Sequence, residues 1–174
     1  RSDNLVVLAR RNTLVVQKIL LTPISLLRGK LAPTVPNCME IAFTHYASQP
    51  CVGARPIYER QGQIVRKGPY YFRTYAEVHA NIVHAAHGLM QLPGVAEKRQ
   101  RREKVYAAIL APSSQEWMIA ANAAWYCGIT IATTDSKDPA SVKHVLDSTG
   151  AEIAFVDWSR WLNDPALKNN VLAN

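Results

Sequence analysis

The side chains best equipped for chemistry in this chain are three histidines, a basic run and three cysteines. His79, His84 and His87 fall on one stretch read as a helix, and the i, i+3 pair His84 and His87 could share a metal ion. No carboxylate or cysteine at ligand spacing joins them, so they read as solvated or half-buried imidazoles and no metal ligand is assigned. Lys98, Arg99, Arg101 and Arg102 have the composition of a phosphate-binding or nuclear-localisation cluster. Their place between a helix and the strand at Val105 makes a solvated loop the expectation. Ser148, Thr149 and Gly150 offer hydroxyls beside a glycine, but a phosphate loop needs several glycines between strand and helix and a following lysine. Here Gly150 closes a helix. Cys38, Cys51 and Cys127 are an odd number without CxxC spacing, which indicates buried, reduced thiols in a cytosol-facing protein rather than a disulfide framework or a zinc site. With no Gly-x-Ser-x-Gly and no Cys/His signature, no catalytic residue is assigned either.

The elements that would position these groups are clearest from Val105 onward. Val105 to Leu110 reads as a buried strand, followed by Pro112 and by Ser113 with Glu116 three residues later, the capping-box spacing of a helix start. That helix carries Trp117, Ile119, Ala120 and Trp125 and stops at Gly128. Ile129 to Thr133 is a second strand. Asp138 then caps a helix with Pro139 at its first position and Val142, Val145 and Leu146 on one face, Gly150 ends it, and Ile153 to Val156 is a third strand. Strands alternating with helices mean βαβ units and a parallel sheet, so the fold class is α/β.

Upstream, a helix starting near Pro36 carries Met39, Ile41, Ala42, Phe43 and Tyr46. A second, opened by the capping box of Thr74 and Glu77, carries Val78, Ile82, Ala85, Ala86 and Leu89 and ends near Pro93 and Gly94. Between them Val52 to Tyr58 and Tyr70 to Arg73 are expected to form a hairpin around a polar turn at Gln61 to Gly68.

Residues 1–35 form a basic, apolar arm with Arg1, Arg10, Arg11, Lys18, Arg28 and Lys30 against one acid, Asp3. Its longest uncharged stretch, Ile19 to Leu27, contains Pro23 and is shorter than the about 18 residues that span a bilayer. An amphipathic helix lying on a membrane, a transit peptide and a helix packed on the protein body are the readings it admits. Charge is uneven along the chain. Residues 1–104 hold 16 Lys/Arg against 6 Asp/Glu, net +10, and residues 105–174 hold 4 against 7, net −3. The basic excess lies in the arm and one short run, which makes anionic membrane lipid at least as good a partner as nucleic acid.

Several segments, in order, resemble the long-chain fatty acyl-CoA synthetases, AMP-forming members of the adenylate-forming superfamily. Ala111 to Trp117 is similar to the family's F-A-x-N-x-x-E-W, and Cys51 to Pro56 to its C-L-G-T-R-P strand. Tyr71 to Val78 resembles W-x-S-Y-x-E-V. Thr134, Asp135 and Ser136 stand at Y-D-T-L-G, and Asp147 to Asp157 is similar to N-x-T-E-A-x-x-x-F-V-D. The family's Gly-Asp-Arg before the first strand is replaced by the basic run ending in Lys104, and its Val-Pro after the second strand by Ala132 and Thr133.

The resemblance implies that residues 36–174 begin an AMP-binding domain, and that this is the N-terminal part of a long-chain fatty acid:CoA ligase. The whole enzyme would use ATP, Mg²⁺ and CoA. Its phosphate loop, acidic metal motif, ribose-binding Asp and catalytic Lys would lie beyond residue 174. On that expectation the present chain binds none of these groups alone, is inactive alone, and exposes an apolar sheet edge. The expected partners are a long-chain fatty acid, ATP and CoA, with membrane contact through residues 1–35 and no nucleic acid. The expected location is cytosol-facing, peripheral on endoplasmic reticulum, peroxisome or another lipid membrane, and not secreted. Another adenylate-forming acid ligase and a non-catalytic, membrane-associated α/β binding module are the alternatives.

Overall fold

The computed structural model describes residues 6–9, 34–61, 64–134 and 138–157. Chain order begins with strand β1 (Val6–Ala9), helix α1 (Val35–His45), and strands β2 (Pro50–Ala54), β3 (Ile57–Gln61), β4 (Ile64–Lys67) and β5 (Tyr71–Thr74). Helices α2 (Tyr75–Met90) and α3 (Val95–Gln100) follow. The chain then runs through β6 (Tyr106–Leu110), α4 (Gln115–Tyr126), β7 (Thr130–Thr133), α5 (Pro139–Thr149) and β8 (Ile153–Val156).

The α/β architecture is that of a parallel sheet in the order β1-β8-β6-β7, with α4 and α5 as crossovers. Successive side chains on a strand face opposite sides, and β6 and β8 divide their apolar residues accordingly. Ala107, Ile109, Ile153 and Phe155 join one core with Val78, Ile82 and Leu89 of α2 and the buried alanines of α4. Ala108, Leu110, Ala154 and Val156 join a second core with Val142 and Leu146 of α5. Both faces of the sheet are therefore covered, which is why these two strands read as continuous apolar runs rather than alternating ones.

Local chemistry fixes the helix ends. Asp138 accepts backbone hydrogen bonds from Ala140 and Ser141 with Pro139 in the first turn, and Gly150 takes the left-handed conformation, φ 61°, that closes α5. Thr74 and Glu77 form a complete reciprocal capping box on α2. On α4 the cap lies one residue later than the spacing suggests. Ser114, rather than Ser113, is the N-cap, and its hydroxyl accepts from the Trp117 backbone at 3.0 Å.

The upstream hairpin also differs from expectation. Pro56 has no N–H for a ladder, and the chain turns at Arg55 and Pro56 instead of continuing from Val52 to Tyr58. β2 pairs antiparallel with β5, and the supposed turn at Gln61 to Gly68 holds strand β4, paired antiparallel with β3. The β-branched Ile64 and Val65 inside that segment were the overlooked strand signal. The basic run is likewise not all loop, because Lys98 and Arg99 lie on α3. In the arm, Val6–Ala9 is a strand beside β8, with Val6 opposite Ile153, in keeping with the β-branched Val6 and Val7. The expectations for the rest of the arm fall on residues 1–5 and 10–33, outside the described residues. β1 and β7 are the outer strands of the described sheet, and β7 shows Thr130 and Thr133 to solvent.

Candidate functional site

In open parallel sheets, ligands collect outside the carboxyl ends of the strands, where crossovers change direction. Here α4 carries the chain from β6 to β7 over one face, and α5 carries it back past β6 to β8 over the other. The carboxyl ends of β6 and β8, with Leu110 opposite Val156, form the relevant border. The turn from Ala111 to Ser114 leaves β6 and opens α4 there. The Thr134 backbone N–H donates to the Ile109 carbonyl at 3.1 Å and ties the end of β7 to β6.

The unusual group at this end is Gln115. It is completely buried, and neither its amide nitrogen nor its amide oxygen has a hydrogen-bond partner. About two turns further along the same face of α4, the Asn122 amide donates to the Met118 carbonyl at 2.9 Å while its oxygen stays unpartnered. A buried carboxamide without partners is costly, so Gln115 is the polar group of this end whose hydrogen bonding the fold leaves open. Among the described residues the surroundings offer amide, hydroxyl and backbone groups, with no nucleophile beside a base.

A second constellation joins three helices. The Tyr126 hydroxyl of α4 donates to Glu40 Oε1 of α1 at 2.6 Å, and His79 Nε2 of α2 donates to the same oxygen at 3.0 Å. The His79 ring stacks on Phe43, with centroids 4.9 Å apart and planes 12° apart. Burial pushes the Tyr126 phenol up, and the hydrogen bond to Glu40 and that residue's charge push it further. Tyr126 ends the helix that runs back from the carboxyl end of β6, so this cluster sits on the helical layer away from that end. Its role is to clamp α1, α2 and α4 together. Sequence reasoning missed it because Glu40 and Tyr126 are 86 residues apart and neither lies in a motif.

The residues singled out by sequence do not converge. His84 and His87 are exposed on α2, separate from the His79 cluster. Lys98 pairs with Glu152 at 2.6 Å and fastens α3 to the entry of β8, while Arg101 pairs with Glu103 at 2.9 Å. The Ser148 and Thr149 hydroxyls donate to the Val145 carbonyl within α5 at 3.3 and 2.7 Å, as helix-terminal hydroxyls do. The three cysteines are free thiols, but only Cys127 is buried as expected, Cys38 and Cys51 being half-buried. Burial holds Cys51 up at about 11 and raises Cys127, an effect the nearby Arg99 opposes. Neither is a ready nucleophile at neutral pH.

Comparison with protein-family models matches the AMP-binding enzyme family over residues 54–173. The chain belongs to the AMP-binding enzyme family. The match covers the β3–β4 hairpin, both α2 and α4, and every strand of the βαβ units, so the parallel sheet is part of an AMP-binding domain. No curated protein matches the chain significantly. Full enzymes of this adenylate-forming family use ATP. Among the described residues there is no group of three His, Cys, Asp or Glu that could hold a metal ion, and the turn at the end of β6 has no glycines to bring backbone N–H groups around a phosphate. These residues do not fit a nucleotide–metal centre, and no chemical step is assigned to them.

Proposed function

We propose that the chain is the N-terminal part of a long-chain fatty acid:CoA ligase. The observation that carries this is the order of segments along the chain: Cys51 to Pro56, which straddles the start of the family match, and Tyr71 to Val78, Ala111 to Trp117 and Asp147 to Asp157 within it each resemble the long-chain members. The overall reaction would join a fatty acid to AMP with release of pyrophosphate, and the CoA thiol would then displace AMP to give the thioester. A carboxylate resists thiol attack until its oxygen belongs to a good leaving group, which is the purpose of the adenylate. The contribution of this stretch is architectural. It provides sheet strands, the helices that cover them, and the carboxyl end of β6. Residues 1–35 supply a basic arm suited to the membrane surface where fatty acids partition.

The test is palmitate-dependent ATP–pyrophosphate exchange by the full product of the reading frame that contains these codons. Exchange with palmitate, and none by residues 1–174 alone, is the expected result. Preference for acetate or benzoate would assign the protein to another class of adenylate-forming acid ligase. No exchange with any acid would overturn the ligase reading in favour of a binding module.

A further inference from the structure

We propose that the aromatic and basic face of β3, β4 and β5 docks on an anionic lipid surface. Three of the six exposed large hydrophobic residues among those described lie here: Tyr58 is 71 % exposed, Phe72 55 % and Tyr70 44 %, while Tyr71, next to Phe72 on β5, faces the other way. So dense a cluster of exposed rings indicates an interaction surface. The rings are held in place rather than loose. A Cβ at Gly68 would lie 2.5 Å from the Tyr58 ring, and one at Gly53 would lie 2.6 Å from Phe72, so each ring rests on bare backbone. Tyr70 and Phe72 stack with centroids 6.1 Å apart.

The charge around the rings selects the partner. Arg55 lies with its guanidinium 5.4 Å from the Tyr70 centroid and donates to the carbonyls of Gly68 at 2.7 Å and Lys67 at 3.2 Å. It thereby fixes the corner between β2 and β3 against the end of β4. Among the described residues, neither Arg55 nor Lys67 has a carboxylate at ion-pair distance. Residues 55–73 carry five Lys/Arg (Arg55, Arg60, Arg66, Lys67 and Arg73) against Glu59 alone, net +4. The later part of the chain, residues 105–174, is net −3, so an anionic plane attracts the hairpin rather than that part of the chain. Tyrosines with a polar tip, a phenylalanine and flanking basic residues are the composition that settles at the headgroup boundary, where rings enter and hydroxyls and cations stay wet. This inference does not use the ligase reading, and either can fail without the other.

The experiment is co-sedimentation of the full chain with vesicles of phosphatidylcholine alone or mixed with phosphatidylserine. Circular dichroism and urea midpoints are recorded for every variant. Binding is expected to the anionic vesicles and to weaken with salt. Lys67→Glu, at an exposed position, should lower affinity about fivefold. Tyr58→Ser and Phe72→Ser should each lower it about tenfold. Arg10→Glu with Arg11→Glu tests the arm separately and should leave the hairpin-dependent part intact. Loss confined to the arm variant, with Lys67→Glu and Tyr58→Ser binding like the parent, would overturn the proposal. So would equal binding to neutral vesicles, or variants that keep vesicle binding but lose self-association in sedimentation velocity, which would make the face a contact between copies of the chain.

Discussion

The contact between Glu40 and Tyr126 is the most direct test of how the helical layer is held. Glu40→Ala removes one carboxylate oxygen that accepts from both Tyr126, at 2.6 Å, and His79, at 3.0 Å. A hydrogen bond to a charged acceptor contributes about 1.5–3 kcal/mol when well buried. The Glu40 side chain is 44 % exposed and that of His79 32 %, so solvent competes for both and the combined contribution falls to about 2 kcal/mol. Stability changes of that size move the melting temperature of a domain this large by about 4–8 °C. A double-mutant cycle with Tyr126→Phe isolates the pair, and its coupling energy should be about 1 kcal/mol. Because burial and Glu40 raise the Tyr126 phenol above its ordinary value of 10.0, the folded state holds that proton more tightly than the unfolded one. The stabilisation is complete below pH 10 and is lost as pH rises beyond it, so Tyr126→Phe should flatten the alkaline limb of a stability–pH curve. A melting temperature unchanged within a degree in Glu40→Ala, together with no coupling in the cycle, would refute the clamp.

Three further outcomes follow from the described side chains. Ser114→Ala should cost about 1 kcal/mol in urea unfolding while Ser113→Ala is near neutral, because only the Ser114 hydroxyl caps α4. Gln115→Met, of similar length and without the unpartnered amide, should stabilise the chain by about 1–2 kcal/mol in the same assay; destabilisation would show that the amide has a partner in solution. Glu77, whose carboxylate accepts from the Thr74 backbone and hydroxyl, is held below its ordinary 4.5 by those bonds. Its stabilisation is therefore present above that value and lost as pH falls through the depressed one, and Glu77→Gln should flatten the acid limb.

The amino-acid sequence by itself determined the features that depend on neighbours along the chain. Asp138 with Pro139, Thr74 with Glu77, and the glycines at 128 and 150 act over three or four residues, so the ends of α5, α2 and α4 were legible before any tertiary contact was known. The apolar runs of β6 and β8 also announced strands buried on both faces, and with them the α/β class. The resemblance of ordered segments pointed to the family that residues 54–173 match.

What the tertiary structure decided involves residues far apart or choices between near-equal neighbours. Ser113 and Ser114 are chemically alike, and only the direction in which the chain leaves β6 selects the second as cap. The break at Pro56 and the pairing of β3 with β4 depend on where β2 finds its partner β5, a register that no local pattern specifies. Glu40, His79 and Tyr126 meet because α1, α2 and α4 pack on one another, and Arg55 reaches Tyr70 because a corner folds back. Gln115 is unremarkable in the sequence; burial without a partner is a property of its three-dimensional surroundings alone. The helix signals were local because capping is satisfied within one turn, whereas side-chain clusters across elements exist only after the chain has paid the entropy of bringing distant segments together.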